Sequence, residues 1–219
     1  MRVVILGTGT DVGKTYVTCC LAQSLRAYGS VQALKPVESG VDAATSGDAG
    51  AIAAAAGHAP SLSPWRLRRG VSPHLAAREQ GLTLDLAEIV AWIADEERRS
   101  PAHLTLIETA GGAFSPLAPG VCNVDLAAAL SPALWLLVAP DALGVLHDVT
   151  ATLRALPRAP DAVVLSGARP SDASTGSNAA ELSRLGIVEV LETVPRGDSG
   201  CAGAARWLAA HPTYKSSHD

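Results

Sequence analysis

The chain has 219 residues, of which 48% are hydrophobic but only 4% aromatic, and a formal net charge of −4. This length and composition predict a single domain with an aliphatic core, and the charge supplies no basic field for nucleic acid, so duplex and RNA binding are excluded. No apolar run approaches the roughly 18 residues of a membrane span and no leader-like segment opens the chain, while four cysteines without C-x-x-C spacing predict reduced thiols and a cytoplasmic protein.

Short apolar runs rich in β-branched residues and leucine alternate with helical stretches along the whole chain. Such alternation is typical of βαβ units, so an α/β fold around a mostly parallel sheet is expected, with 1–219 as one domain and a frayed tail at 213–219. The predicted strands are Val3–Leu6, Val31–Lys35, Leu104–Glu108, Leu134–Ala139, Ala162–Leu165 and Ile187–Leu191.

Two helices are recognisable by apolar residues at 3.6-residue spacing. One carries Val17, Cys20, Leu21, Leu25 and Tyr28, and the other carries Leu86, Ile89, Val90 and Ile93 behind an Asp85-x-x-Glu88 start that resembles a capping box. The glycine-, serine- and proline-rich stretches at 39–47, 111–120 and 167–177 are predicted loops. The first two follow strand ends, where open α/β sheets bind their ligands.

The stretch GTGTDVGKT, residues 7–15, directly follows the first predicted strand. A phosphate-binding loop requires a helix start, a lysine for the β and γ phosphates and a hydroxyl for Mg²⁺, and Gly13-Lys14-Thr15 provides all three. Gly7 and Gly13 are separated by five residues instead of the usual four, which lengthens the loop without removing any of these parts. A dinucleotide loop and a purely structural turn are alternatives, but neither needs the Lys-Thr pair.

Further polar residues lie at the ends of predicted strands or in the loops that follow them. Lys35 would add a second positive charge near the γ phosphate, or it would be a solvated lysine at a strand end. Ser39 would contact a ligand, or it would begin a turn. Glu108 occupies the position of the acidic residue that holds Mg²⁺ in phosphate-binding-loop enzymes, or is a solvated strand-end acid. Asp48 precedes an alanine-rich helix, Ala49–Ala56, and is either a helix N-cap or a metal ligand.

In combination these motifs resemble the dethiobiotin synthetase family. The resemblance runs in order through GTGTDVGKT, Lys35-Pro-Val-x-Ser39-Gly, Asp48, Ser72-Pro-His-Leu-Ala-Ala77 and Glu108-x-Ala-Gly-Gly. It implies a P-loop NTPase fold with about seven strands and helices on both faces, and a homodimeric enzyme. The implied reaction forms the ureido ring of dethiobiotin from 7,8-diaminononanoate and CO₂, with ATP and Mg²⁺, through a carbamate and a mixed anhydride.

The resemblance also implies roles for individual residues. Lys14, Lys35, Thr10 and Asp11 would be catalytic, and Thr15, Asp48 and Glu108 would hold the metal. The substrate would contact Ser39 and the helix start Gly144, Val145, Leu146 and His147, which a second subunit could supply. The nucleotide would be bound by Asp11, Val12, Gly13, Lys14, Thr15, Tyr16, Asp48, Glu108, Thr109, Ala110, Gly111, Ser166, Gly167, Pro195, Arg196 and Gly197.

Three positions depart from the family pattern. Asp11 replaces a longer glutamate, β-branched Thr109 replaces glycine beside the metal, and Ser166-Gly167 lacks the asparagine that reads adenine. Selectivity for ATP over other triphosphates is therefore open. Two other functions fit the loop: a related enzyme that uses ATP to amidate or activate another small molecule, and a nucleotide-switch ATPase of the partitioning type.

Overall fold

The computed structural model describes residues 1–42, 44–167, 170–197 and 200–215. Within them, a six-stranded parallel sheet has helices packed on both faces. Its strand order is β10-β9-β8-β1-β5-β2. The six strands are β1 (Arg2–Gly7), β2 (Val31–Leu34), β5 (Leu104–Glu108), β8 (Leu134–Asp141), β9 (Ala162–Gly167) and β10 (Glu192–Val194).

Two small sheets flank the main one. A parallel pair joins β3 (Val37–Ser39) to β4 (Trp65–Leu67), and an antiparallel pair joins β6 (Pro116–Ala118) to β7 (Val121–Cys122). The helices of the described residues are α1 (Lys14–Leu25), α2 (Gly47–Ala56), α3 (Pro73–Glu79), α4 (Leu86–Arg99), α5 (Asn123–Ala129), α6 (Val145–Ala155), α7 (Asn178–Arg184), α8 (Ala202–Ala210) and α9 (Pro212–Lys215).

The alternation of side chains along β1 divides the core into two layers. Val3 and Ile5 point into one cluster, which includes residues of α1, α2 and α8, whereas Val4 and Leu6 point into another with residues of α4 and α5. All four side chains are fully buried. A strand buried on both faces is typical of the centre of a parallel sheet, and this explains why the apolar run is continuous.

The sheet brings three chain segments to one edge. The strand β5 lies between β1 and β2, with Ile5 beside Glu108 and Leu34 beside Ile107. Because the strands are parallel, the loops that follow all three of them leave the sheet at the same edge. The candidate residues after each strand are therefore neighbours in space although they are far apart in sequence.

The predicted fold class is confirmed, but several details differ. The main sheet has six strands among the described residues, not seven, and the last is Glu192–Val194 instead of Ile187–Leu191. The segment from Ile187 to Val190 packs against α7, with the Ile187 N–H bonded to the Leu182 carbonyl at 2.9 Å. An apolar run can pack against a helix as readily as join a sheet, so its hydrophobicity did not define the strand.

Two end regions complete the comparison with the sequence. The first helix ends at Leu25, so Tyr28 lies beyond it and is 42% exposed, contrary to its expected place on the apolar face. Of the tail expected to fray, 213–219, residues 213–215 belong to the short helix α9 (Pro212–Lys215), and 216–219 lie outside the described residues. Across the described part of the chain, none of the helices combines the length and apolar character needed to cross a membrane.

Candidate active site

The glycine-rich loop connects β1 to the start of α1, as its sequence predicts. Gly13 precedes the helix with φ of +93°, a conformation that favours glycine, and an added Cβ would lie 2.7 Å from the Cβ of Ser166. Asp11 has φ of 57° and is the one non-glycine residue with positive φ in the described ranges. Aspartate tolerates this left-handed region better than most residues, so the loop can turn sharply at this point.

Lys14 lies under this loop with its side chain buried. Its Nζ donates to the Gly9 carbonyl at 3.1 Å, and only 6% of the residue is exposed. Burial lowers the pKa of Lys14 to about 8; the Glu108 carboxylate opposes this shift and the Lys35 ammonium adds to it. The loop thus holds a buried cation that lacks full compensation from the protein, which is suited to an anionic ligand.

A second cluster lies beside it, centred on the fully buried Glu108. Oε1 of Glu108 accepts hydrogen bonds from the Lys35 Nζ at 2.8 Å and from the Thr15 Oγ1 at 2.7 Å. The Lys35 Nζ also donates to the Asp48 Oδ2. Lys35, Glu108, Asp48 and Thr15, which come from four different segments of the chain, are therefore linked directly.

Lys35 remains charged in this environment. Burial by itself would lower the pKa of Lys35, but the carboxylates of Glu108 and Asp48 together outweigh burial and raise it above its ordinary value. A buried ammonium is stable only when it is paired and hydrogen-bonded in this way. Neither the solvated strand-end lysine nor the solvated strand-end acid considered from the sequence is what the structure shows.

The cluster has the chemistry of a magnesium site. Oε2 of Glu108 is buried and has no hydrogen-bond partner, and the Thr15 hydroxyl and Asp48 carboxylate are oxygen donors of the kind that Mg²⁺ prefers. No group of three or more His, Cys, Asp or Glu side chains with metal-site geometry occurs in the part of the chain that is described. Mg²⁺ in phosphate-transfer sites commonly uses one or two carboxylates, with phosphate and water as its other ligands, so these residues fit the ion.

Both clusters open into one cavity of about 580 Å³. Most of the residues predicted for catalysis and nucleotide binding line it, and Glu108 reaches it through Lys35 and Thr15. The predicted residues in its wall are Thr10, Asp11, Gly13, Lys14, Thr15, Tyr16, Lys35, Ser39, Asp48, Ala110, Gly111 and Arg196. Residues that the site prediction omitted also line it: Glu38, Gly70, Val71, Ser72, Pro73 and Ser115.

The predicted nucleotide residues at and after the ends of β9 and β10 lie beside the start of α1. The Arg196 guanidinium lies 4.4 Å from the centre of the Tyr16 ring, and its Nε donates to the Gly167 carbonyl at 2.8 Å. The Tyr16 hydroxyl donates to the Pro195 carbonyl at 2.5 Å. Ser166 is fully buried, and its hydroxyl has no hydrogen-bond partner. These contacts bring the ends of β9 and β10 together beside the phosphate-binding loop, and Gly197 follows with φ of +89°.

Thr109 lies outside the cavity wall, and its departure from glycine has a structural explanation. Its backbone has no positive φ, and its Oγ1 donates to the Ile5 carbonyl at 2.9 Å. The positive φ of this turn falls at Gly111, with a value of 82°. The stiff threonine is therefore compatible with the turn. Val12 also lies outside the cavity wall and belongs to the apolar core.

The segment expected to anchor the substrate is separate from the cavity wall. Gly144 precedes α6 with φ of +99°, so Val145, Leu146 and His147 do form a helix start. None of the four lines the cavity of this chain. The preceding Leu143 is 84% exposed.

The structure corrects the expected role of Asp48 and adds Asn123, which the sequence did not indicate. The N-cap of α2 is Ser46, and Asp48 lies in the first turn with its carboxylate on Lys35, so the simple capping role is wrong. Asn123, which the site prediction did not include, is buried and its Nδ2 donates to the carbonyls of Ala110 and Gly112 at 2.6 and 2.9 Å. Asn123 thereby fixes the glycine-rich turn after β5, a contact that no local sequence signal indicates.

Comparison with known proteins gives consistent matches. A family model described as an AAA domain matches residues 1–199. The ATP-dependent dethiobiotin synthetase BioD of Caulobacter sp. (strain K31) is 37% identical over 94% of this chain and 92% of its own length. The protein of the same name from Phenylobacterium zucineum is 34% identical over 99% of this chain and 98% of its own.

Solved structures share the fold at low sequence identity. The signal recognition particle receptor FtsY from Elizabethkingia anophelis superposes with a TM-score of 0.61 at 14% identity, covering 97% of this chain and 65% of its own length. A ParA family ATPase from Chlorobium tepidum gives a TM-score of 0.52 at 11% identity, covering 98% and 94%. At such identities the likeness shows the architecture alone.

Proposed function

The chain belongs to the family of ATP-dependent dethiobiotin synthetases, ligases of biotin biosynthesis, and from this premise we propose that it closes the ureido ring of dethiobiotin. The substrates are 7,8-diaminononanoate, CO₂ and ATP, and the other products are ADP and phosphate. The observation that carries the proposal is the ion cluster in which Lys35 links Glu108 and Asp48 at the wall of the cavity that Lys14 also lines.

The reaction begins with carbamate formation. One amine of the diamine forms a C–N bond to CO₂ and loses a proton, which gives a carbamate anion. Thr10, Asp11 and Ser39 line the cavity and provide hydroxyl and carboxylate groups for the amines. The charged Lys35 ammonium stabilises the carbamate, because it remains positive in its buried pair with Glu108.

Phosphoryl transfer follows. A carbamate oxygen attacks the γ phosphorus, the bond to the β–γ bridging oxygen breaks, and ADP leaves. Lys14 binds the β and γ phosphates, and Lys35 stabilises the negative charge that develops on the transferred group. Thr15, Asp48 and Glu108 would hold Mg²⁺, and the ion would neutralise negative charge on the phosphates during the transfer.

Ring closure completes the reaction. The second amine attacks the carbonyl carbon of the carbamic-phosphoric anhydride, the C–O bond to phosphate breaks, and the amine loses a proton. The product is a cyclic urea together with inorganic phosphate. The cavity volume of about 580 Å³ lies within the range of about 300–1,000 Å³ that is usual for small-molecule sites, which supports binding of the reactants in this cavity.

We further propose that the enzyme is a cytoplasmic homodimer and that the substrate carboxylate binds the start of α6 of the second subunit. The backbone N–H groups in the first turn of this helix suit an anion, and Gly144 precedes the helix with a positive φ. The neighbouring Leu143 is 84% exposed, and such an interface would cover it. All four cysteines are free, which is compatible with a reducing compartment.

The proposed function is tested by phosphate release from ATP. Pure protein with ATP, Mg²⁺ and bicarbonate is expected to release phosphate only after 7,8-diaminononanoate is added. Release that ignores the diamine would favour a nucleotide-switch ATPase, and release that needs a different amine or carboxylate would favour a related activating enzyme. Replacing ATP with other triphosphates in the same assay measures the base selectivity that Ser166 leaves open.

A further inference from the structure

Glu38 is a buried acid in the cavity wall that the proposed reaction does not use. It lies on β3, between Val37 and Ser39, and only 2% of the residue is exposed. Its carboxylate points to the start of α2, where Oε1 accepts a hydrogen bond from the backbone N–H of Asp48. A carboxylate at this position satisfies a helix N–H that has no partner within the helix and interacts favourably with the helix dipole.

The backbone of α2 is shaped around this carboxylate. Gly47, the first residue of the helix, has φ of +56°, and an added Cβ would lie 2.8 Å from the Cδ of Glu38. A side chain at position 47 would therefore displace the acid. The glycine and the glutamate fit each other, which indicates that the position of the helix start is defined by Glu38.

Arg66 supports the same arrangement from the neighbouring strand. It lies opposite Glu38 in the pairing of β3 with β4, and its Nε is 3.9 Å from the Glu38 Oε2. Its other end donates to the Thr45 carbonyl in the loop that leads into α2. The two strands thus hold the helix start through the acidic side chain of Glu38 and the loop before it through the basic side chain of Arg66.

We infer that Glu38, supported by Arg66, is a positioning residue that fixes the Asp48 carboxylate beside Lys35 and Glu108, where Asp48 serves Mg²⁺. Asp48 is well suited to such control, because its side chain is 45% exposed and, among the described residues, its carboxylate is held by the Lys35 ammonium. The inference rests on the proposed function in one respect, the role of Asp48 toward Mg²⁺. Neither the phosphate-binding motif nor the positions of the strand ends in the sequence identify Glu38 as part of the site.

Equilibrium binding of a fluorescent, non-hydrolysable ATP analogue across a Mg²⁺ titration tests the inference without substrate turnover. Removing a group that orients a metal ligand typically costs about 10- to 100-fold in metal affinity. In the Glu38→Ala variant, the Mg²⁺ concentration for half-maximal binding should therefore rise by about tenfold or more. The Glu38→Gln variant keeps an acceptor for the Asp48 N–H and should change by less than about threefold. Binding in EDTA should be equal in the wild type and both variants.

Hydrogen exchange supplies a second readout on the nucleotide-free protein. The Asp48 amide should exchange faster in Glu38→Ala than in the wild type, because it loses its acceptor. The matched control is Asp85→Ala, which removes a carboxylate that accepts the Glu88 N–H at 3.1 Å at the start of α4 and does not line the cavity. It should accelerate exchange at Glu88 and leave the Mg²⁺ titration unchanged.

Each outcome decides the inference. Unchanged exchange at Asp48 in Glu38→Ala, or faster exchange with an unchanged Mg²⁺ titration, would overturn it. If the alanine variant does not fold, Glu38→Asp replaces it, because the shorter side chain withdraws the carboxylate from the Asp48 N–H. Failure of the proposed function would appear separately, as wild-type phosphate release that does not depend on the diamine.

Discussion

Replacing Lys35 with methionine removes the ammonium from the ion cluster while keeping most of the side-chain volume. The Lys35 Nζ lies 2.8 Å from the Oε1 of Glu108, a residue with no exposed surface. At an effective dielectric constant of about 20, two unit charges at this distance attract by about 6 kcal/mol, part of which is offset by the cost of burying them. Removing one partner of a buried pair costs about 3–5 kcal/mol, because the other charge is left uncompensated.

We therefore expect the Lys35→Met variant to lose about 3–5 kcal/mol in the free energy of unfolding at pH 7. Turnover should also fall, by at least about 100-fold, since one preorganised donor to the transition state is typically worth about 3 kcal/mol. Urea unfolding followed by far-ultraviolet circular dichroism measures the first effect. Diamine-dependent phosphate release, at a temperature where the variant is fully folded, measures the second.

Arg99→Ala is the matched control for this experiment. It also breaks a Lys/Arg pair with a glutamate, but the Arg99 side chain is 69% exposed, so the loss should stay below about 1 kcal/mol. A Lys35→Met variant as stable as this control would show that Glu108 does not depend on the ammonium. Unchanged turnover would remove Lys35 from the chemistry.

Three further changes test other parts of the site. Burial lowers the pKa of Lys14 from 10.5 to about 8, so between these pH values the unfolded chain binds more protons than the folded one and stability rises with pH. Lys14→Met should therefore raise the free energy of unfolding of the nucleotide-free protein by about 3 kcal/mol at pH 7, measured by urea unfolding. This gain over the wild type should shrink toward pH 10, and a gain independent of pH would contradict the reasoning. Asn123→Ala should cost about 1–3 kcal/mol, because it leaves two buried carbonyls of the glycine-rich turn without donors; Asn123→Asp should not restore the loss, since a carboxylate cannot donate. Gly13→Ala should abolish nucleotide binding in a calorimetric titration, because the added Cβ would overlap Ser166. The double variant Gly13→Ala/Ser166→Gly should recover binding only in part, because the strain of φ at +93° remains. Full recovery would mean that the overlap with Ser166 was the whole effect.

Parts of the fold were predictable because local composition and tertiary environment agree. The run Leu104–Glu108 is apolar up to a carboxylate and a glycine-rich turn, and β5 has the same bounds. The last strand was displaced, because the apolar residues from Ile187 to Val190 pack against α7 while the shorter β10 begins at Glu192. Hydrophobicity alone does not distinguish these two kinds of burial.

The site could be predicted as a set of strand ends but not as a set of contacts. Lys35 and Glu108 were identified because each lies at the end of a predicted strand, and the sheet order β1-β5-β2 makes them neighbours. The order of strands is not written in any single motif, so the 2.8 Å contact required the structure. Glu38 was missed for a related reason: it occupies the position written x in the Lys35-Pro-Val-x-Ser39 motif, and its partner lies in the first turn of α2.

Thr109 shows how a departure from a family pattern can be compatible with the local backbone. A glycine at this position suggests a need for positive φ, and a β-branched residue would then strain the turn beside the metal. In this chain the positive φ falls two residues later, at Gly111, and the Thr109 hydroxyl bonds to the Ile5 carbonyl within the sheet. The threonine thus ties β5 to the strand that carries the phosphate-binding loop, and the oxygens of Glu108 and Thr15 meet without strain at position 109.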